Sequence, residues 1–244
     1  QFAAPAVAGA VLPVGTFRSA LLIDILTALL GIGLLSCVLL PKQEASGEQM
    51  AVFSEIKAGI RYSFSDRMSG KTLTVYGLFI LLSVPAGFMA ALLVSRVYGD
   101  AYWYLTAVEL VGFAGMVLGG VVMGIWGGFK SRVKTFAVGL LVLSVMTMGM
   151  GMSPYFLLYL AMMFVYSVAL TVIQTAVTTI IQERSESAMQ GRVFGLMGAM
   201  YSGFLPLGMA VFGPLADLLP LPWIIAGSGV ALVFIAVCAY AEPK

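Results

Sequence analysis

Seven predominantly apolar stretches recur along the chain, at residues 19–40, 72–95, 101–126, 135–153, 155–181, 193–218 and 222–241. Each suffices for a hydrocarbon-crossing helix, which takes about 20 residues at 1.5 Å rise. A shorter apolar stub, residues 1–13, cannot span. It lacks the positive start of a signal peptide and reads as the tail of an eighth helix. The pattern predicts an all-α membrane protein.

Between the spans the gaps differ in kind. Three are tight, at residues 98–100, 153–154 and 219–221, and gaps this short force neighbouring helices into antiparallel hairpins. One is long, residues 41–71. Within it Val52, Phe53, Ile56, Ile60 and Phe64 recur at helical spacing among Glu55, Lys57 and Arg61. That is an amphipathic helix, lying on the inner membrane surface or packed on protein as a linker. The expected organisation is 1–40 as the end of one bundle, 41–71 as a linker, and 72–244 as a six-helix bundle.

Positive charge fixes the expected orientation. Lys42, Lys57, Arg61, Arg67, Lys71, Lys130, Arg132, Lys134, Arg184, Arg192 and Lys244 fall on one side, and Arg18 and Arg96 on the other. The first group is therefore expected to be cytoplasmic, together with the C-terminus, in a multi-pass plasma-membrane protein. Tyr102, Trp103, Tyr104, Trp126 and Trp223 stand at span ends, where aromatic anchors gather.

Composition narrows the chemistry. The chain is 61% hydrophobic and only 10% charged, with a mean hydropathy of +1.03. It contains no histidine, which removes the usual general base, the Ser-His-Asp triad and the HExxH metal site. Cys37 and Cys238 sit in separate spans and make no metal site. No enzyme, cofactor, metal or nucleic-acid partner is expected.

Two acids lie inside spans, where ionisable residues are rare because burying them is costly. Glu109 falls eight residues into the third stretch, and Asp24 lies near Arg18 in the first. A carboxyl that loads and releases a proton there suits proton coupling or substrate recognition; a permanently protonated structural carboxyl is the alternative. Thr171, Gln174, Thr175 and Thr178 share one face of the fifth stretch. They line a substrate path or make inter-helix hydrogen bonds. Gly115 and Gly119, and Gly120, Gly124 and Gly128, repeat at intervals of four, a spacing that lets helix backbones approach closely. Met146, Met148, Met150, Met162 and Met163 supply adaptable packing or an apolar pocket.

An internal repeat is visible as well. Pro5 and Pro13 are spaced like Pro206 and Pro214, and each pair precedes a short link and another span. Parallel repeats of this kind arise when a transporter is built from two similar halves.

Three stretches resemble the macrolide-efflux-like branch of the major facilitator superfamily. They are ELVGFAGMVLGGVVMGIWGGFKSRVK from Glu109 to Lys134, QERSESAMQGRVF from Gln182 to Phe194, and Ile23-Asp24. The family's Gly-x-x-x-Asp-Arg-x-Gly-Arg loop survives in altered form at residues 124–132, with Gly128 in the aspartate's place. The resemblance implies a major-facilitator-type bundle running from the end of family helix 5 through helix 12. It implies a secondary transporter that exports apolar or cationic small molecules, macrolides or other drugs among them, by alternating access, driven by proton antiport. Its partners would be the lipid bilayer, the substrate, the proton and an N-terminal half of the same protein. It places Lys130, Arg132, Glu183, Gln190 and Arg192 in cytoplasmic loops, where charged pairs act as a gate. Import or export of an endogenous metabolite, and a non-transporting receptor or scaffold, remain as other readings.

Overall fold

The computed structural model describes residues 25, 26, 29, 33, 59–99 and 101–240. The chain divides into two units, 1–51 and 52–244. The four described positions of the first unit are helical. Asp24, Arg18, Cys37 and the proline pair of residues 5 and 13 lie outside the described residues.

The second unit contains α1 (Arg67–Gly87), α2 (Ala90–Val97), α3 (Tyr102–Trp126), α4 (Arg132–Met152), α5 (Phe156–Arg184), α6 (Ser187–Leu218) and α7 (Leu221–Tyr240). No strand occurs among the described residues. With α1 and α2 taken together, six helical segments are long and apolar enough to cross a membrane. The all-α membrane bundle is thus the observed architecture.

Helices extend past the apolar stretches at the basic end, where α1 begins at Arg67 and α6 at Ser187. Hydropathy marks hydrocarbon thickness, whereas backbone hydrogen bonding continues until a cap ends it. At α1 the cap is Asp66, whose carboxylate accepts from the Ser69 N–H at 2.9 Å and the Ser69 hydroxyl at 2.7 Å. At α4 it is Ser131, whose hydroxyl accepts from the Lys134 N–H at 3.4 Å. Such caps stabilise a helix by about 1 kcal/mol.

The first span is broken, which the hydropathy pattern does not show. Pro85 stands inside α1, where its ring removes a donor and crowds the preceding turn. Two residues on, the helix ends. Phe88 and Met89 both donate to the Val84 carbonyl, at 2.9 and 3.3 Å, and α2 restarts at Ala90.

Packing follows a symmetric order, α3–α5–α4–α7–α1–α6, in which each helix makes its main contacts with its neighbours in that row. Exchanging α1 with α5, α3 with α6 and α4 with α7 leaves the row unchanged. Because α1 starts at the basic end and α5 finishes there, the two three-helix units run in opposite directions, as in an inverted repeat.

Burial follows the row. In α4 and in the α1–α2 span, 56% of the membrane-length window is buried, against 22% for α3 and 17% for α6. The helices at the two ends of the row are the least covered. The core is apolar, centred on Leu73, Phe79, Leu140, Leu143, Ile173, Ile225 and Leu232.

Candidate functional site: a polar face and a basic end

Three glycines build the α3–α5 seam. A Cβ at Gly115 would lie 2.5 Å from the Phe164 carbonyl oxygen, and one at Gly119 would lie 2.8 Å from the Thr171 Cβ. Gly112 continues this face, 3.3 Å from the Met163 methyl. The expectation for Gly120 and Gly124 needs correction: nothing lies within 4 Å of a Cβ built at either. The seam repeats at 112, 115 and 119, as 3.6 residues per turn requires, so Gly120 is rotated about 100° out of it. Gly128 is not a seam residue either. With Gly127 it forms the turn after α3, at φ +84° and +69°. A side chain there would be strained and would meet the Thr135 hydroxyl at 2.8 Å.

The methionines serve the same seams. Met162 fills the space over Gly149, Met148 that over Gly229, and Met163 that over Gly112. They act as packing between helices rather than as the wall of a separate pocket.

Glu109 projects from the uncovered side of α3. Its neighbour Val108 is buried in the core, and Glu109 itself is exposed. It makes no hydrogen bond or ion pair among the described residues. It precedes Gly119, the residue that faces Thr171, by ten positions, or roughly 15 Å along the axis at helical rise. The structure therefore does not bring Glu109 together with the polar stripe of α5.

That stripe divides its bonds. The Thr175 hydroxyl donates to the Thr171 carbonyl at 2.8 Å. The Thr171 hydroxyl reaches the Ser167 carbonyl at 3.2 Å and the Met116 carbonyl of α3 at 3.4 Å. Gln174 accepts from the Tyr76 hydroxyl of α1 at 3.1 Å. Thr178 is half-buried on the same face. The Tyr76–Gln174 bond ties α1 to α5, the two helices exchanged by the internal symmetry. Tyr201 of α6, 42% exposed, stands near Tyr76 and Tyr166. The expected stripe thus belongs to a larger polar face shared by α1, α5 and α6. Hydropathy misses its tyrosines because each carries a large apolar body; the available signal was a phenol in mid-span needing a partner.

At the basic end the gating candidates occupy defined places. Arg132 pairs with Glu183, Nε to Oε1 at 3.2 Å, and donates to the Gly127 carbonyl at 2.6 Å. It thereby joins the α3–α4 turn to the end of α5. Gln190 donates to the Gln182 and Ser185 carbonyls, both at 3.3 Å, and closes the α5–α6 turn. Arg192 directs its guanidinium toward the Met189 sulfur at 3.5 Å. Lys130 is exposed. Asp66 lies 3.9 Å from Arg184. Hydrogen bonds from Ser69 hold its carboxyl below the ordinary carboxylate value, against a small opposing effect of desolvation, with Arg184 adding to the lowering.

Of the described part of the linker, residues 59–63 are helical and 64–66 form the turn before α1. Gly59 packs on Arg192, Ser63 is buried, and Ile60 and Phe64 remain 42% and 51% exposed. The Tyr62 hydroxyl accepts from the Glu186 N–H at 3.0 Å. The Phe64 ring lies over Gly70 at the start of α1.

The opposite end is held by Arg96, which donates to the Ala216 carbonyl at 2.7 Å and pairs with Asp217 at 3.3 Å. Tyr98 donates to the Ser153 carbonyl at 2.8 Å. Around it, Trp103, Tyr104 and Phe156 pack ring on ring.

No family model matches the chain. Macrolide efflux protein A of Streptococcus pyogenes is 22% identical over 242 residues, covering 96% of this chain and 58% of that protein. Macrolide efflux protein A of Enterococcus faecalis is 20% identical over 209 residues, covering 84% and 65%. The likeness to these macrolide efflux proteins runs along nearly all of this chain, which spans about 58% of the length of the S. pyogenes protein.

Proposed function

We propose that this bundle is one half of a secondary transporter that exports small apolar or cationic molecules, such as macrolides, across the cell membrane. The reading is carried by the likeness to macrolide efflux proteins over 96% of the chain. The uneven burial supports it. Helices α3 and α6, at the two ends of the row, are the least covered, and the polar face of Tyr76, Gln174 and Tyr201 lies among the helices between and beside them. A second bundle of the same protein closing over that side would enclose a midplane site. Rocking of the halves about it would give alternating access. The glycine seams, where backbones approach with little side-chain interlock, suit such movement. The basic end then faces the cytoplasm, as its lysines and arginines favour.

Glu109 is the proposed proton-coupling group. It is the one acid in α3, unpaired within the bundle, on the side that a second half would cover. Asp24 is the other candidate. Substitution Glu109→Gln keeps size and hydrogen bonding but cannot titrate. The full-length variant in proteoliposomes should retain substrate exchange and lose efflux driven by a pH gradient. Undiminished pH-driven efflux in that variant would make Glu109 structural.

A further inference from the structure

The linker helix before α1 has two unlike sides. Gly59 and Ser63, four residues apart, are turned to the bundle: Gly59 lies against Arg192 of α6 and Ser63 is buried. The hydrogen bond between the Tyr62 hydroxyl and the Glu186 N–H fixes the helix at the start of α6. Ile60, Arg61 and Phe64 are exposed. The Phe64 N–H still donates to the Ile60 carbonyl at 3.0 Å, so Phe64 keeps the helical register. At 100° per residue these three residues fall in one sector of about 100°, away from Gly59 and Ser63. The spacing reaches back in the sequence. Phe53 precedes Ile60 by seven residues and Ile56 by four, while Lys57 precedes Arg61 by four. Glu55, five residues before Ile60, is out of step with that pattern.

Depth and charge name the occupant. The Phe64 ring lies 3.1 Å from a Cβ built at Gly70, in the first turn of α1. The apolar stretch of that span begins at residue 72, roughly 3 Å further along the axis. Where the bundle meets the bilayer, this level is the boundary between headgroups and acyl chains, the depth at which amphipathic helices rest. Arg61 makes no ion pair among the described residues. A protein surface closing over its sector would bury that charge uncompensated. A lipid surface takes the apolar side chains and leaves the guanidinium among phosphates.

We infer that the Ile60–Phe64 face of the linker docks on an anionic lipid surface at the basic end of the bundle, with Ile60 and Phe64 in the acyl boundary and Arg61 among the phosphates. The inference requires only that the bundle lie in a bilayer; it is independent of transport.

Spin labelling of the full-length protein tests it. With the native cysteines replaced, a single label is placed at position 60, and the protein is reconstituted in phosphatidylcholine vesicles with or without phosphatidylglycerol. Collisions with oxygen, which concentrates in hydrocarbon, and with a water-soluble nickel chelate locate the label. With phosphatidylglycerol present, the label should relax chiefly through oxygen. Arg61→Gln should lower the ratio of docked to undocked label about fivefold, the effect of one cation near an anionic leaflet. Arg61→Lys should keep the ratio, and omission of phosphatidylglycerol should lower it at least as far as Arg61→Gln does. Relaxation chiefly by the chelate would place this face in water and overturn the inference. Shielding from both agents would show that protein covers the face, and would also overturn it. Oxygen contact undiminished in pure phosphatidylcholine, or after Arg61→Gln, would refute an anionic surface as the partner. If the label at 60 prevents folding, a label at 64 reads the same face and decides by the same outcomes.

Discussion

Replacing Gly115 by alanine tests the close approach of α3 and α5. The new Cβ would lie 2.5 Å from the Phe164 carbonyl oxygen and 2.8 Å from the Ser167 Cβ. The nearer atom is main chain and cannot rotate away, so the helices must separate by about 0.9 Å to restore ordinary contact at 3.4 Å. A gap of 0.5–1 Å forfeits roughly a quarter to a half of each dispersion contact along a seam. Overpacking of this kind costs about 1–3 kcal/mol. Alanine's better helix propensity returns up to about 1 kcal/mol, so the net loss with the full gain is about 0–2 kcal/mol, and the variant should lie about 1–3 kcal/mol below a control that receives the propensity gain alone. Gly120→Ala is the matched control. It lies in open space, receives the propensity gain alone, and should be neutral or stabilised by up to about 1 kcal/mol. Unfolding in mixed micelles by added dodecyl sulfate, followed by helical circular dichroism, measures both variants. If Gly115→Ala proves as stable as Gly120→Ala, the seam is not close-packed and the reasoning fails.

Asp66→Ala should destabilise the protein by about 1 kcal/mol at neutral pH through loss of the α1 cap. Because the folded-state carboxyl is depressed, the cap's contribution is full above the ordinary carboxylate pKa of 3.8 and is lost as pH falls through the lower folded value. Variant and parent should therefore converge in strong acid; a gap that persists there would disprove the titration argument. Arg132→Glu should lower transport by the full-length protein while changing stability by less than about 1 kcal/mol, since the pair with Glu183 is exposed. Adding Glu183→Arg should restore transport, and a double variant no better than the single one would exclude a gate at this pair.

Six of the seven expected spans, their all-α character and the concentration of positive charge at one end were legible in the sequence because they depend on composition averaged over some 20 residues, which the bilayer itself selects. Gly115 and Gly119 were legible as a close-packing pattern for a similar reason, since their spacing is a property of one helix. The break after Gly87 carried a local signal in Pro85, which hydropathy overlooks because proline interrupts the backbone without adding charge. The partner of Glu183, the role of Gly128 in a turn and the exclusion of Gly120 from the seam were not legible. Each depends on which helix lies opposite, and most residues of such spans are interchangeable hydrophobes that leave the neighbour unspecified. The exposure of Glu109 was hidden likewise: its place in the sequence gives its depth along α3, and only the docking of α5 on Gly112, Gly115 and Gly119 decides which side of the helix is left uncovered.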